Sequence, residues 1–205
     1  MAHSPQKHAI ATPDLILASS SPYRRQLLDK LMIPYRCHAP NIDETPLTDE
    51  SPRQLVLRLA LAKARAAAVD YSQALIIGSD QVAVLDGSIV TKPHTHQRAK
   101  AQLQQASDKQ VIFLTSLCLF NSVDDSYQVQ VVPYTVNFLP LTDSQIDNYL
   151  QKEKPYHCAG SFKAEGLGIT LCSRLSGEDP NALIGLPLIA LAGMLRSAAM
   201  EPLSR

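Results

Sequence analysis

The stretch Ser19-Ser20-Ser21-Pro22-Tyr23-Arg24-Arg25 places hydroxyls, a helix start and two guanidinium groups side by side. Ser21 stands where an N-cap belongs, and Pro22 where the first helical residue belongs. Backbone N–H groups left free at such a start favour anions. Arginines in a first helical turn work against the helix dipole, so Arg24 and Arg25 are candidates to serve a ligand. Guanidinium grips phosphate through two donors at once. The competing reading is a plain capped helix with solvated arginines.

Polyphosphate cleavage needs a metal or cations on the phosphates and a group that orients water. Acids stand at Asp43, Glu44 and Asp80, and further cations at Lys63 and Lys92. Asp80 follows the apolar run Ala74-Leu75-Ile76-Ile77 and then Gly78-Ser79. It is expected to leave the sheet at a rigid, partly buried point, where a carboxylate must be paired, hydrogen-bonded or bound to metal. A turn-capping aspartate is the alternative. Lys92 precedes Pro93, which pushes it toward extended geometry, and a lysine ending a return strand can point back over Asp80. Taken singly, Lys92 and Lys63 also read as solvated lysines. Glu165, when ionised, only accepts hydrogen bonds. It would suit the N1–H and exocyclic amine of guanine, or else be a surface carboxylate.

The elements that position these groups follow from periodicity. Asp14 to Ala18 reads as a buried strand, followed by a helix with Leu27, Leu28, Leu31 and Met32 at helical spacing. A short strand is expected within Tyr35 to Asn41, then a loop carrying Asp43 and Glu44. Ser51-Pro52-Arg53-Gln54 forms a capping box, opening a helix that runs to about Val69. Strand character returns at Ala74 to Ile77 and Val82 to Leu85, and Asp86-Gly87 signals a hairpin leading to Ser88-Ile89-Val90. A helix from about Gln97 to Ala106 follows. Val111 to Phe120 and Gln128 to Phe138 read as long strands. Thr142 to Gln145 is a second capping box. A glycine-containing loop over 154–168, a short strand Ile169 to Cys172 and a final helix Leu186 to Ala198 complete the pattern. The fold class is α/β or α+β with a mixed sheet.

The chain has 205 residues, 45% of them hydrophobic, and no formal net charge. That suffices for one large domain or two small lobes, and argues against bulk binding of nucleic acid or anionic membrane. Residues 1–13 look like a loose, flexible leader, with a single domain over 14–205. No segment reaches the roughly 20 apolar residues of a membrane span, so a cytoplasmic protein is expected. Cys37, Cys118, Cys158 and Cys172 show no CxxC spacing and read as reduced packing residues. His94 and His96 suggest a metal pair only weakly, and a loop or helix start is preferred for them.

Taken together and in order, Ala18-Ser19-Ser20-Ser21-Pro22 with Arg24-Arg25, Asp43-Glu44-Thr45, Lys63-Ala64, Gly78-Ser79-Asp80, Lys92-Pro93 and Gly185-Leu186-Pro187-Leu188 resemble the Maf family of nucleoside triphosphate pyrophosphatases. The resemblance covers about Leu15 to Pro202. Gly78 to Val82, Cys158 to Lys163, Glu165-Gly166 and Asp179-Pro180-Asn181 are similar to the YceF-like branch, which acts on 7-methyl-GTP. In the branch that hydrolyses dTTP and UTP, the positions matching Tyr23, Gln81 and Glu165 are typically Arg, Thr and Gln.

The resemblance implies an elongated mixed sheet flanked by helices, with two lobes around a central cleft. It implies that Asp80 activates water and that Tyr23, Gln81 and Glu165 set base specificity. Ser19, Arg24, Lys63 and Lys92 would line the phosphate pocket. Glu44, with Asp80, would hold a divalent cation, Mg²⁺ or Mn²⁺. The implied partner is a small-molecule nucleotide, with a homodimer left open, and the implied role is removal of modified nucleotides from the pool. Two alternatives stay open: the same reaction on dTTP, UTP or another noncanonical nucleotide, and a nucleotide-binding regulator of septum formation. Thr91, Ser116 and Tyr23 depart from the family pattern, where glycine, glycine and (in this branch) tryptophan are usual. Tyr23 still offers an aromatic face, which favours a positively charged, methylated guanine.

Overall fold

Strand β3 (Ala74–Leu85) is the axis of the sheet: three of the other strands pair with it directly. The computed structural model describes residues 13–203, so the leader expected over 1–13 lies, but for Pro13, outside the described residues. β1 (Asp14–Ala18) and β2 (Arg36–His38) run parallel to each other, and β1 runs parallel to β3. β4 (Ser88–Val90), β5 (Gln110–Asn121), β6 (Tyr127–Phe138) and β7 (Cys172–Gly177) pair antiparallel with their neighbours. In the described residues the seven strands form one mixed sheet of order β2-β1-β3-β5-β6-β7, with β4 also on β3. Asp86 and Gly87 both take positive φ, 50° and 79°, as the tight turn between β3 and β4 requires.

Period-2 alternation sends β3 side chains to two helical layers. The face of Ala74 and Ile76 meets α2 (Pro52–Ala68) through Ala60, Ala64 and Ala67. Small residues let this helix lie close. A Cβ on Gly78 would come within 2.0 Å of the Ala60 carbonyl oxygen, so glycine is required by contact rather than by φ. The opposite face carries Leu75 and Ile77 against α1 (Pro22–Asp29) and α6 (Leu188–Ser197). Farther along that face, Ala83 and Leu85 join a second cluster with α3 (His96–Ala106) and α4 (Asp143–Glu153). A short helix, α5 (Pro180–Ile184), lies between the two groups in sequence and contributes Leu183 to the second cluster. Ile16, Leu17, Ile76 and Ile77 are fully buried, each stabilising the fold by about 1.5–3 kcal/mol relative to exposure.

Several expectations are corrected. α1 stops at Asp29, so Leu31 and Met32 lie beyond it, and Met32 takes φ 54° and is exposed. β3 runs unbroken through Gly78-Ser79-Asp80, because β5 pairs with it along that stretch, so Asp80 does not leave the sheet. Leu167–Leu171 coils as a 3₁₀ turn, and the strand begins only at Cys172. The expected final helix begins at Leu188, and α5 precedes it as a separate element capped by Asp179.

Candidate active site

The opening in the sheet lies where β3 changes partners. β1 pairs with residues 74–77 and β4 with 83–85. Between them, residues 78–82 are paired by β5 on one side alone, so side chains of both faces reach a common space. That space is a cavity of about 500 Å³ lined by Ser19, Tyr23, Arg24, Glu44, Lys63, Asp80, Gln81, Lys92 and Glu165, among others. Arg25 and Asp43 lie outside its lining. Arg25 is one helical step past Arg24 and faces solvent, and Asp43 turns back to accept a hydrogen bond from the Thr45 N–H.

Lys63 is at the centre of the charge balance. Its Nζ lies 2.7 Å from Asp80 Oδ1 and 2.7 Å from Glu44 Oε1. The lysine is 7% exposed and Asp80 8%, so this is a buried pair and not a solvated helix lysine. Glu44 is more open, and its carboxyl sits below the ordinary glutamate range. Burial pushes it up, but the hydrogen bond and charge of Lys63, with the charges of Lys92 and Arg24, outweigh that. Ser116 anchors the strand beneath the carboxylate: its Oγ donates to Val56 O at 2.6 Å and accepts from the Asp80 N–H at 3.0 Å.

Arg24 is tied from two sides. Its Nε donates to Gly185 O at 2.8 Å, and a terminal nitrogen donates to Ser19 Oγ at 3.4 Å. Burial pushes the guanidinium below its ordinary pKa, and the charges of Asp80 and Glu44 pull it back up. Ser79 Oγ donates to the same Gly185 carbonyl at 3.1 Å. The loop after α5 is thus fastened to the first turn of α1 and to β3. Lys92 is exposed at the rim of the cavity.

The other end is built from Tyr23, His157, Cys158 and Glu165. Burial and the neighbouring Cys158 push the Tyr23 hydroxyl pKa up, so it stays a neutral phenol. Glu165 rides on a loop held from behind by Glu153. The Glu153 carboxylate accepts from Lys163 Nζ at 2.6 Å and from the Leu167 N–H at 2.6 Å. A Cβ on Gly166 would come within 2.5 Å of that carboxylate, so the loop packs flush on α4.

The donor set bears on a metal. Among the described residues no cluster of three or more His, Cys, Asp or Glu is present. Glu44 and Asp80 offer carboxylate oxygens bound to one shared nitrogen, and so close to each other. A pair of hard oxygen donors beside an anion pocket fits a cation such as Mg²⁺ that is completed by substrate phosphates and water. His94 stacks edge-on with His157, and His96, the first residue of α3, contacts the Tyr156 hydroxyl at 3.1 Å. The four cysteines are free, as expected.

Sequence reasoning missed Glu153, which holds the Glu165 loop, and the contacts of Thr115, whose hydroxyl donates to Ala182 O at 2.7 Å in α5 and accepts from Gln81 Nε2 at 2.9 Å. Glu153 closes a helix as an ordinary charged residue. Thr115 looks like one more β-branched strand residue, and no residue type reveals which backbone carbonyl it meets.

A family model described as Maf-like protein matches residues 14–198. Maf proteins are nucleoside triphosphate pyrophosphatases, hydrolases that generally use a divalent cation. The match spans both sides of the cavity, from Ser19 between β1 and α1 to Gly185 after α5, and on that ground the chain belongs to the Maf-like protein family.

Proposed function

We propose that this pyrophosphatase acts on 7-methyl-GTP, releasing 7-methyl-GMP and pyrophosphate. The supporting observation is that Tyr23, Gln81 and Glu165 gather in the same cavity as Arg24, Lys63, Lys92 and Asp80. An aromatic face and an acceptor-only carboxylate suit a cationic guanine with its N1–H and amine donors. Asp80 takes a proton from water as the water oxygen bonds to the α-phosphorus. The bond from that phosphorus to the bridging oxygen breaks, and pyrophosphate leaves with the electron pair. Arg24, Lys63, Lys92 and the Ser19 hydroxyl bind the phosphates and stabilise the developing charge. Glu44 and Asp80 would hold the divalent cation, which supplies neutralisation of the leaving phosphates. Residues 14–205 serve this reaction as one domain.

The test is pyrophosphate release with Mg²⁺ over 7-methyl-GTP, GTP, dTTP, UTP, CTP and ITP, with Asp80→Ala as control. Preference for 7-methyl-GTP, lost by at least about 100-fold in the control, is the expected result. Preference for dTTP or UTP sinks the base assignment and keeps the mechanism. Binding without turnover would favour a regulator.

A further inference from the structure

Gln81 is half-buried on β3 with its side chain turned toward α5. Its Nε2 donates toward Thr115 Oγ1 at 2.9 Å, Ala182 O at 2.9 Å and Leu183 O at 3.0 Å. Two of these are backbone carbonyls, which only accept. Thr115 Oγ1 spends its single proton on Ala182 O at 2.7 Å, so toward Gln81 it accepts as well. Every partner therefore demands an N–H. A flipped amide would set Oε1 against two carbonyl oxygens. Among the described residues Oε1 accepts no hydrogen bond, yet no buried side-chain oxygen is left unsatisfied, so it keeps accessible surface, and Gln81 lines the cavity.

We propose that Thr115 is a positioning residue for base selection, which with the carbonyl end of α5 fixes Gln81 as an obligate hydrogen-bond acceptor toward the base. This rests on the base-reading role given to Gln81 under the proposed function. A free glutamine amide offers both a donor and an acceptor and discriminates bases poorly. Here the donor half is consumed by the protein, and the cavity receives an oxygen alone. Glu165 presents acceptors too. A base edge rich in N–H groups is favoured at these positions. An edge that brings carbonyl oxygens or bare ring nitrogens to them is disfavoured, because buried acceptors would face each other.

Thr115 is fully buried and touches the base only through Gln81, so Thr115→Val, which removes the hydroxyl at similar volume, is the informative variant, with Thr115→Ser as the conservative rescue. Two readouts are needed. The first is the exchange rate of the Gln81 side-chain amide protons by NMR in the nucleotide-free protein, assigned with a Gln81→Met reference. The second is the ratio of kcat/KM between 7-methyl-GTP and UTP. Slow amide exchange in the wild type and in Thr115→Ser, faster exchange in Thr115→Val, and a ratio reduced about three- to tenfold in Thr115→Val alone are expected. Fast exchange in the wild type overturns the proposal. So does an unchanged ratio in Thr115→Val, or an equal loss on both nucleotides, which is what a merely structural threonine gives. A wild type that prefers UTP, with a protected amide and a ratio that moves in Thr115→Val, overturns the 7-methylguanine reading and supports the amide lock, since one fixed acceptor can also face the N3–H of uracil.

Discussion

Replacing Lys63 by methionine keeps most of the side-chain stem and deletes the charge, which isolates the electrostatics of the site. In the wild type the ammonium lies 2.7 Å from both Asp80 and Glu44, with side-chain exposures of 9% for Lys63, 12% for Asp80 and 57% for Glu44. Removing one partner of a buried pair costs about 3–5 kcal/mol, because the other charge stays buried without compensation. The Glu44 half is screened by solvent and adds only about 0–1 kcal/mol. Asp80 therefore dominates the loss. For a chain of this size, each kcal/mol is worth about 2–4 °C, which places the expected drop in melting temperature at roughly 6–20 °C. The same substitution leaves two neighbouring carboxylates with no ammonium between them. Millimolar Mg²⁺ or Mn²⁺ should then stabilise Lys63→Met by about 2.7 kcal/mol when the ion is at 100 times its dissociation constant, and the wild type by less. The assays are thermal melts and urea unfolding of both proteins, nucleotide-free, with and without the ion. Adding Asp80→Asn should recover much of the loss, and the double-mutant cycle isolates the pair. The reasoning fails if Lys63→Met is as stable as the wild type, or if the ion stabilises both proteins equally.

Three further outcomes follow from named contacts. Gly78→Ala should lower stability by about 1–3 kcal/mol or more, because its Cβ meets the Ala60 carbonyl at 2.0 Å and α2 must move; the urea midpoint and pyrophosphate release should fall together, since α2 also carries Lys63. Glu153→Ala should raise KM with little change in kcat, because the Glu165 loop loses the bonds from Lys163 and Leu167 while Asp80 and Lys63 are untouched; steady-state kinetics on 7-methyl-GTP checks it. The Glu50 carboxyl is held down to about 2 by its hydrogen bonds from Arg58, against burial, from an ordinary value of 4.5. A depressed folded pKa stabilises the fold above the ordinary value and loses that contribution as pH falls through the folded one. The stability gap between the wild type and Glu50→Gln should therefore be constant above about pH 5 and shrink from there toward pH 2 in urea melts.

Short-range chemistry was readable from the chain alone. Ser21, Ser51 and Thr142 cap their helices as their positions predict, the latter two with full capping boxes. Asp86-Gly87 turns the β3–β4 hairpin, and the apolar runs become buried strands. These features depend on a few neighbouring residues, which the sequence displays directly. Asp80, Arg24, Lys63, Lys92 and Glu165 were singled out from residue type and position, and Tyr23 and Gln81 through the family resemblance alone; all of them line the cavity.

Only the tertiary structure decided what those side chains do to one another. Gly78-Ser79-Asp80 has the composition of a turn, and it is strand because β5 pairs along it. Arg24 and Arg25 are equivalent by type. The helix rotates one into the cavity and the other into solvent. Lys63 reads as a surface residue of an alanine-rich helix until Gly78 lets that helix approach the strand bearing Asp80. The polarity of Gln81 is set by α5, about a hundred residues later in the chain. Each of these rests on a contact between segments distant in sequence. Periodicity and propensity are local quantities and carry no information about which distant donor meets which acceptor; burial of the shared core makes that choice.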